Sequence, residues 1–229
     1  MILVEKVNKY FGKKQVLKDI SLKIEDSEAV AFLGSNGSGK TTLVEIIAKL
    51  LEPTSGKVKF LDSNNIIVDK TVGMQFQDGS WPQGTKIIDL VKFYKSKSYL
   101  QSDEFKELSN SFNLESLMKK NIDSLSGGER QRANCFLSII NNPQVLILDE
   151  LITGLDLEMQ IKLVNYFKKY KQKNKVSLLI ISHNPEEVEE LCDRIIILKN
   201  GEVFEDCKID KVLEEYGSIR KRLLKYFEV

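Results

Sequence analysis

The sequence has little of what several function classes require. Its 34 Lys and Arg are balanced by 33 Asp and Glu, a net charge of +1, so bulk electrostatics gives no case for a nucleic-acid partner, and none is expected. There are only three cysteines, at 135, 192 and 207. Odd in number, widely spaced and without metal-ligand pairing, they suit passive burial in a reducing compartment and exclude a disulfide framework. Long hydrophobic runs are missing. Runs such as residues 178–181 and 195–198 fall far short of the roughly 20 apolar residues of a membrane span. The start, Met1-Ile2-Leu3-Val4-Glu5-Lys6, lacks the charged leader and small-residue cleavage site of a secretory signal. A cytosolic chain is therefore expected. No internal repeat or low-complexity segment is visible, and 229 residues suit one large α/β domain better than two independent ones.

What is present begins with Gly34-Ser35-Asn36-Gly37-Ser38-Gly39-Lys40-Thr41, which fits G-x-x-x-x-G-K-[ST]. Its context is the one that pattern needs. Residues 29–33 read as a buried strand, and residues 42–51, starting at Thr42, carry Leu43, Ile46, Ile47 and Leu50 at helical spacing. Glycines at 34, 37 and 39 tolerate unusual dihedrals, so the loop can turn its N–H groups around an anion. The phosphates of a nucleotide would then lie on the helix N-terminus, where unpaired N–H groups and the dipole favour negative charge. Lys40 would reach the β- and γ-phosphates, and the Thr41 hydroxyl would ligate Mg²⁺.

Around this loop the hydrophobic pattern is that of a mixed α/β domain. Residues 2–7, 21–24 and 57–61 read as strands of an N-terminal β-rich part. From about 85 to 121 the chain becomes polar and helical, with Ile87, Ile88, Leu90, Val91 and Tyr94 on one face and Phe105, Leu108 and Phe112 on another, a candidate helical insertion. Strand patterns return at 145–148, 177–182 and 194–198, alternating with helical stretches 127–140 and 157–172, which argues for a largely parallel sheet covered by helices. Lys199-Asn200-Gly201 reads as a hairpin turn, and the tail from about 210 to 229 as one amphipathic helix.

Two further segments carry chemistry. Val145-Leu146-Ile147-Leu148-Asp149-Glu150 is an apolar strand ending in two carboxylates. Asp149 can hold the shell of Mg²⁺, which takes few carboxylates and keeps several waters. Glu150 is left to polarise an attacking water. Upstream, Leu125-Ser126-Gly127-Gly128-Glu129 places two glycines ahead of a helix, a second anion-binding start with Ser126 able to donate to a phosphate. Ser126 with Glu129 three residues on also fits a capping box, and both readings can hold together.

The ordered set resembles the nucleotide-binding subunit of an ATP-binding cassette (ABC) transporter, over about residues 2–206. Residues 34–41 match the family's Walker A motif, Gln77 its Q-loop, residues 125–129 its signature, 145–150 its Walker B motif, Asp156 its D-loop and His183 its switch histidine. Phe11 matches the aromatic that stacks on adenine. Three positions depart from the usual pattern: Glu129 for Gln, Leu151 for Pro and Phe11 for Tyr. None removes a group the chemistry requires, since stacking needs a ring and a carboxylate suits the first turn of a helix.

The resemblance implies a RecA-like P-loop NTPase core with an N-terminal antiparallel β-region and an inserted α-helical subdomain. It implies ATP and Mg²⁺, the ion held by Thr41, Gln77 and Asp149, and hydrolysis through Glu150, His183 and Gln77. Two nucleotide-binding subunits, alike or different, would close so that Ser126, Gly127, Gly128 and Glu129 of one face the ATP of the other. A separate transmembrane permease would be the working partner, placing the chain on the inner face of the membrane, with Trp81 after the Q-loop as a candidate contact. The compact chain favours an exporter of drugs, peptides or lipids. The alternatives are an importer ATPase, a soluble ABC ATPase acting on nucleic acid or ribosomes, and a nucleotide-sensing switch, against which Glu150 argues.

Overall fold

The computed structural model describes residues 1–75 and 81–227. Strands β1 (Ile2–Phe11), β2 (Lys14–Ile24) and β4 (Ser55–Phe60) form an antiparallel sheet in the order β2-β1-β4. A second, six-stranded sheet is made of β3 (Ala29–Leu33), β5 (Val72–Gln75), β6 (Val145–Asp149), β7 (Ser177–Ile181), β8 (Arg194–Lys199) and β9 (Glu202–Lys208). Its order is β5-β6-β7-β3-β8-β9. The first five strands of that order run parallel, and only β9 is antiparallel to its neighbour.

Central strands buried on both faces need apolar residues without alternation, and β3, β6 and β7 are buried along their whole length. Period two then sorts their side chains between two cores. Ala29, Ala31 and Leu33 join the helical side with Leu146, Leu148, Ile195 and Ile197. Val30 and Phe32 join Val145, Ile147, Ile196 and Leu198 on the other side. There α1 (Lys40–Ile47) and the small antiparallel sheet close the layer.

The helical side carries α2 (Ile87–Tyr94), α3 (Asp103–Ser111), α4 (Gly127–Ile139), α5 (Leu157–Asn174) and α6 (Pro185–Leu191). Phe105, Leu108 and Phe112, the apolar face expected over this stretch, are all buried. Phe112 meets Tyr166 at 4.9 Å, Phe167 at 6.0 Å and Phe136 at 6.3 Å between ring centroids. Edge-to-face contacts of this kind each add about 0.5–1.5 kcal/mol beyond burial, and here they fasten the end of α3 to α4 and α5. Trp81 packs against the same core, partly buried.

The tail differs from its expectation. It forms two helices, α7 (Ile209–Tyr216) and α8 (Ile219–Phe227), where one was expected. Gly217 separates them at φ 78, a left-handed helix end that glycine adopts without penalty. Among the described residues no helix is long and apolar enough to cross a membrane.

Candidate active site

The phosphate loop begins where β3 ends. Gly34 has φ +134, and a Cβ there would stand 2.2 Å from the Leu198 carbonyl oxygen, so the loop leaves the sheet through a gap open only to glycine. Gly39, in the left-handed region at φ 105, is the N-cap of α1, and no side chain caps that helix. Its first turn therefore keeps N–H groups that no cap satisfies, the condition for anion binding. Inside the loop the buried Ser38 Oγ has no hydrogen-bond partner among the described residues.

Lys40 is buried, and its Nζ donates to the carbonyls of Gly34 at 2.9 Å and Ser35 at 3.0 Å. Burial lowers its pKa, while the charges of Asp149 and Glu150 pull the other way. Asp149, the buried last residue of β6, has its carboxyl pushed up to about 6, first by burial and then by the like charge of Glu150, with Lys40 opposing. Glu150 follows in the left-handed region at φ 54, uncommon for a residue with a side chain. Its Oε1 lies 3.9 Å from His183 Nε2.

These groups share one cleft of ≈ 410 Å³, lined by Asn36, Gly37, Gly39, Lys40, Thr41 and Thr42 from the loop and by Asp149, Glu150 and His183 from the strand ends. Gly34, Ser35 and Ser38 complete the turn behind it. Phe11 is not part of the lining. It sits half-exposed at the end of β1 with Lys9 Nζ 5.1 Å from its ring centroid, while Lys14 and Val16 of β2 reach the cleft. Gln77 lies outside the described residues.

The signature residues stand apart from this lining. Ser126 caps α4, its Oγ accepting from Glu129 N at 3.3 Å, and Ser126 N donates to Glu129 Oε2 at 2.8 Å, a complete capping box. The Glu129 carboxylate is thus turned back on its own helix, with Lys120 Nζ 3.6 Å away. Its pKa is lowered, chiefly by the backbone hydrogen bond from Ser126. Because Ser126 Oγ accepts within the box, its O–H remains able to donate outward. The Asp156 side chain caps α5, accepting from Met159 N at 2.9 Å. The turn before it lies against the signature, since a Cβ on Gly128 would stand 3.2 Å from the Gly154 carbonyl oxygen.

Sequence reasoning missed the residues that support the site. Glu187 on α6 is buried, accepts from Ser182 Oγ, and has its carboxyl pushed up to about 7, mainly by burial. Ser182 Oγ in turn accepts from Asn184 N at 2.9 Å, which fixes the turn carrying His183. In the run Glu186-Glu187-Val188-Glu189-Glu190 this carboxylate reads as solvated, yet its i, i+4 neighbour Leu191 marks the inward face. Gln75 and Gln131, also buried, lie within or beside the motif segments, and sequence alone assigns them no role.

Comparison with known proteins bears on the family and the fold. The family model described as ABC transporter matches residues 17–153. An uncharacterized ABC transporter ATP-binding protein of Methanocaldococcus jannaschii is 31% identical over 95% of this chain and 81% of its own. The methionine import ATP-binding protein MetN of Clostridioides difficile is 31% identical over 90% of this chain and 68% of its own. Among solved structures, a dimeric ATP-binding cassette in a post-hydrolysis state with ADP and Pi superposes with TM-score 0.78 at 26% identity, over 91% of this chain and 98% of that one.

Proposed function

The chain belongs to the ABC transporter family, as an ATP-hydrolysing nucleotide-binding subunit, and from that premise we propose that it is the energy-coupling subunit for a separate membrane permease. The observation that carries this reading is the cleft in which an uncapped helix start and buried Lys40 face Asp149, Glu150 and His183. The loop backbone and Lys40 would bind the triphosphate. Lys40 is already folded over the loop, and a phosphate would replace the two carbonyls it now contacts. Glu150 would hold and polarise the attacking water, with His183 beside it. Positioning and electrostatics supply most of the catalysis in such transfers.

The residues fit Mg²⁺. Thr41 and Asp149 offer hard oxygen donors, and burial beside Glu150 leaves Asp149 in need of a cation. Mg²⁺ keeps waters and phosphate oxygens for most of its shell, so two such side chains would suffice. The ion, when bound, would neutralise charge on the transferring phosphoryl group.

A dimer fits the outward-facing signature, and the solved relative is dimeric. We read Ser126, Gly127 and Gly128 as contacts to the nucleotide of a second subunit, alike or different. Relatives named for import of methionine, sulfate/thiosulfate and spermidine/putrescine support import over the export expected from the sequence, and import is the direction to test first. Their cargoes differ, so the names support no single substrate.

The decisive variant is Glu150→Gln. Hydrolysis should fall by about a thousandfold or more, in line with the loss of a water-positioning group, while ATP affinity stays within about twofold because the phosphate contacts survive. Turnover near wild type would remove Glu150 from the mechanism. A wild-type chain that binds ATP without hydrolysing it would return the chain to a nucleotide-sensing switch.

A further inference from the structure

The backbone that carries Asp149 and Glu150 is gripped by two buried glutamines outside the cleft. Gln131, on α4, donates from Nε2 to the carbonyls of Glu150 at 2.7 Å and Leu151 at 3.0 Å. Its Oε1 accepts from Gln75 Nε2 at 3.3 Å, and that same nitrogen donates to the Asp149 carbonyl at 2.9 Å. Three successive carbonyls, 149 to 151, are therefore gathered by two amides from β5 and α4. On the opposite edge Glu150 N donates to the Ile181 carbonyl at 2.8 Å, the end of the strand that leads to His183.

A brace is needed at this point. Glu150 is left-handed at φ 54, a conformation that persists for a residue with a Cβ only where the surroundings over-determine it. Such strain is resolved by turning the peptide planes on either side; the plane before Glu150 carries the Asp149 carbonyl held by Gln75, and the plane after it carries the Glu150 carbonyl held by Gln131. A side-chain amide has two N–H donors at a fixed separation, so Gln131 can hold the carbonyls of Glu150 and Leu151 together. At low dielectric the chain Gln75–Gln131–carbonyl is stiffer than isolated bonds would be.

We propose that Gln131 is a positioning residue for hydrolysis: it fixes the peptide plane that follows Glu150 and the Leu151 carbonyl after it, and with them the aim of the catalytic carboxylate, without touching the nucleotide. The inference rests on the proposed role of Glu150. It also makes the signature helix a mechanical part of the site of its own chain. Ser126 caps the same helix five positions earlier, so a rigid turn and a half joins the residues meant for the partner's nucleotide to the carboxylate serving this one.

The test is Gln131→Met in the full chain. Methionine fills a similar volume but cannot donate, so a purely space-filling role for Gln131 predicts no change. The positioning role predicts a kcat about thirtyfold lower, from two lost hydrogen bonds at a tenfold change per ~1.4 kcal/mol. ATP affinity, measured by calorimetry, should stay within about twofold, the signature of an interaction felt only in the transition state. Gln131→Glu, which keeps the acceptor for Gln75 but turns an oxygen toward the two carbonyls, should lose more than the Met variant. The inference is overturned if Gln131→Met retains kcat within about twofold, or if kcat and ATP affinity fall in parallel, as lost folding would produce. Failure of the underlying reading looks different: wild type would bind ATP without turnover, or Glu150→Gln would hydrolyse normally.

Discussion

Helices α1 and α4 both start beside glycine and both are read as phosphate-facing, yet their first turns are finished in opposite ways. At α1 the cap is Gly39 in the left-handed region, with no side chain returning to the backbone. At α4, Ser126 and Glu129 close a reciprocal capping box and Lys120 stands by the carboxylate. A start capped by glycine alone forgoes roughly a few tenths of a kcal/mol of helix stability and keeps its donors for a ligand. A capped start is complete without one. The cradle of α1 is therefore built to be finished by phosphate, while α4 is a preformed surface offering a hydroxyl and two glycines. The Glu129 carboxylate is occupied within its own helix by Ser126 N, with Lys120 beside it.

The comparison can be broken at either end. The largest effect is expected at α1. Lys40→Ala should weaken ATP binding by about a hundredfold, since charge-assisted hydrogen bonds to phosphate are worth roughly 1.5–3 kcal/mol. An unchanged affinity by calorimetry would show that the loop is not the cradle. At α4, Ser126→Arg should leave ATP binding to the monomer within about twofold and still lower hydrolysis by at least about tenfold, because bulk and charge enter a surface meant for a second subunit. Parallel loss of ATP binding would mean the two starts belong to one site within one chain.

The smallest effect separates the roles of Glu129. Glu129→Gln keeps an acceptor for Ser126 N and should change the rate by no more than a few-fold, whereas Glu129→Ala opens the box and should cost about 1 kcal/mol of stability. The pairing with Lys120 is partly exposed and contributes little of this. A collapse of hydrolysis in Glu129→Gln at unchanged melting temperature would give the carboxylate a role outside the cap.

Much of the cleft was legible because its chemistry is local in sequence. The loop from Gly34 to Thr42, the strand ending in Asp149 and Glu150, and His183 after an apolar run all carry their meaning in short segments, and the structure brings them together. The central strands were legible for a related reason, since residues buried on both faces form unbroken apolar runs. What escaped was set by tertiary contact. Gln75, Gln131 and Glu187 are polar side chains that only the folded packing buries. The tail was read as one helix because its apolar period continues across Gly217, although the backbone turns there.

The central claim, that the cradle at α1 of one subunit is completed by the capped start of α4 on another, is tested most directly by light scattering on Glu150→Gln with and without ATP and Mg²⁺. The account predicts that the mass doubles with nucleotide, or doubles only on adding the partner subunit if the two differ, and that Ser126→Arg introduced into the Glu150→Gln chain abolishes the doubling while ATP still binds. An ATP-bound dimer unaffected by Ser126→Arg would contradict it.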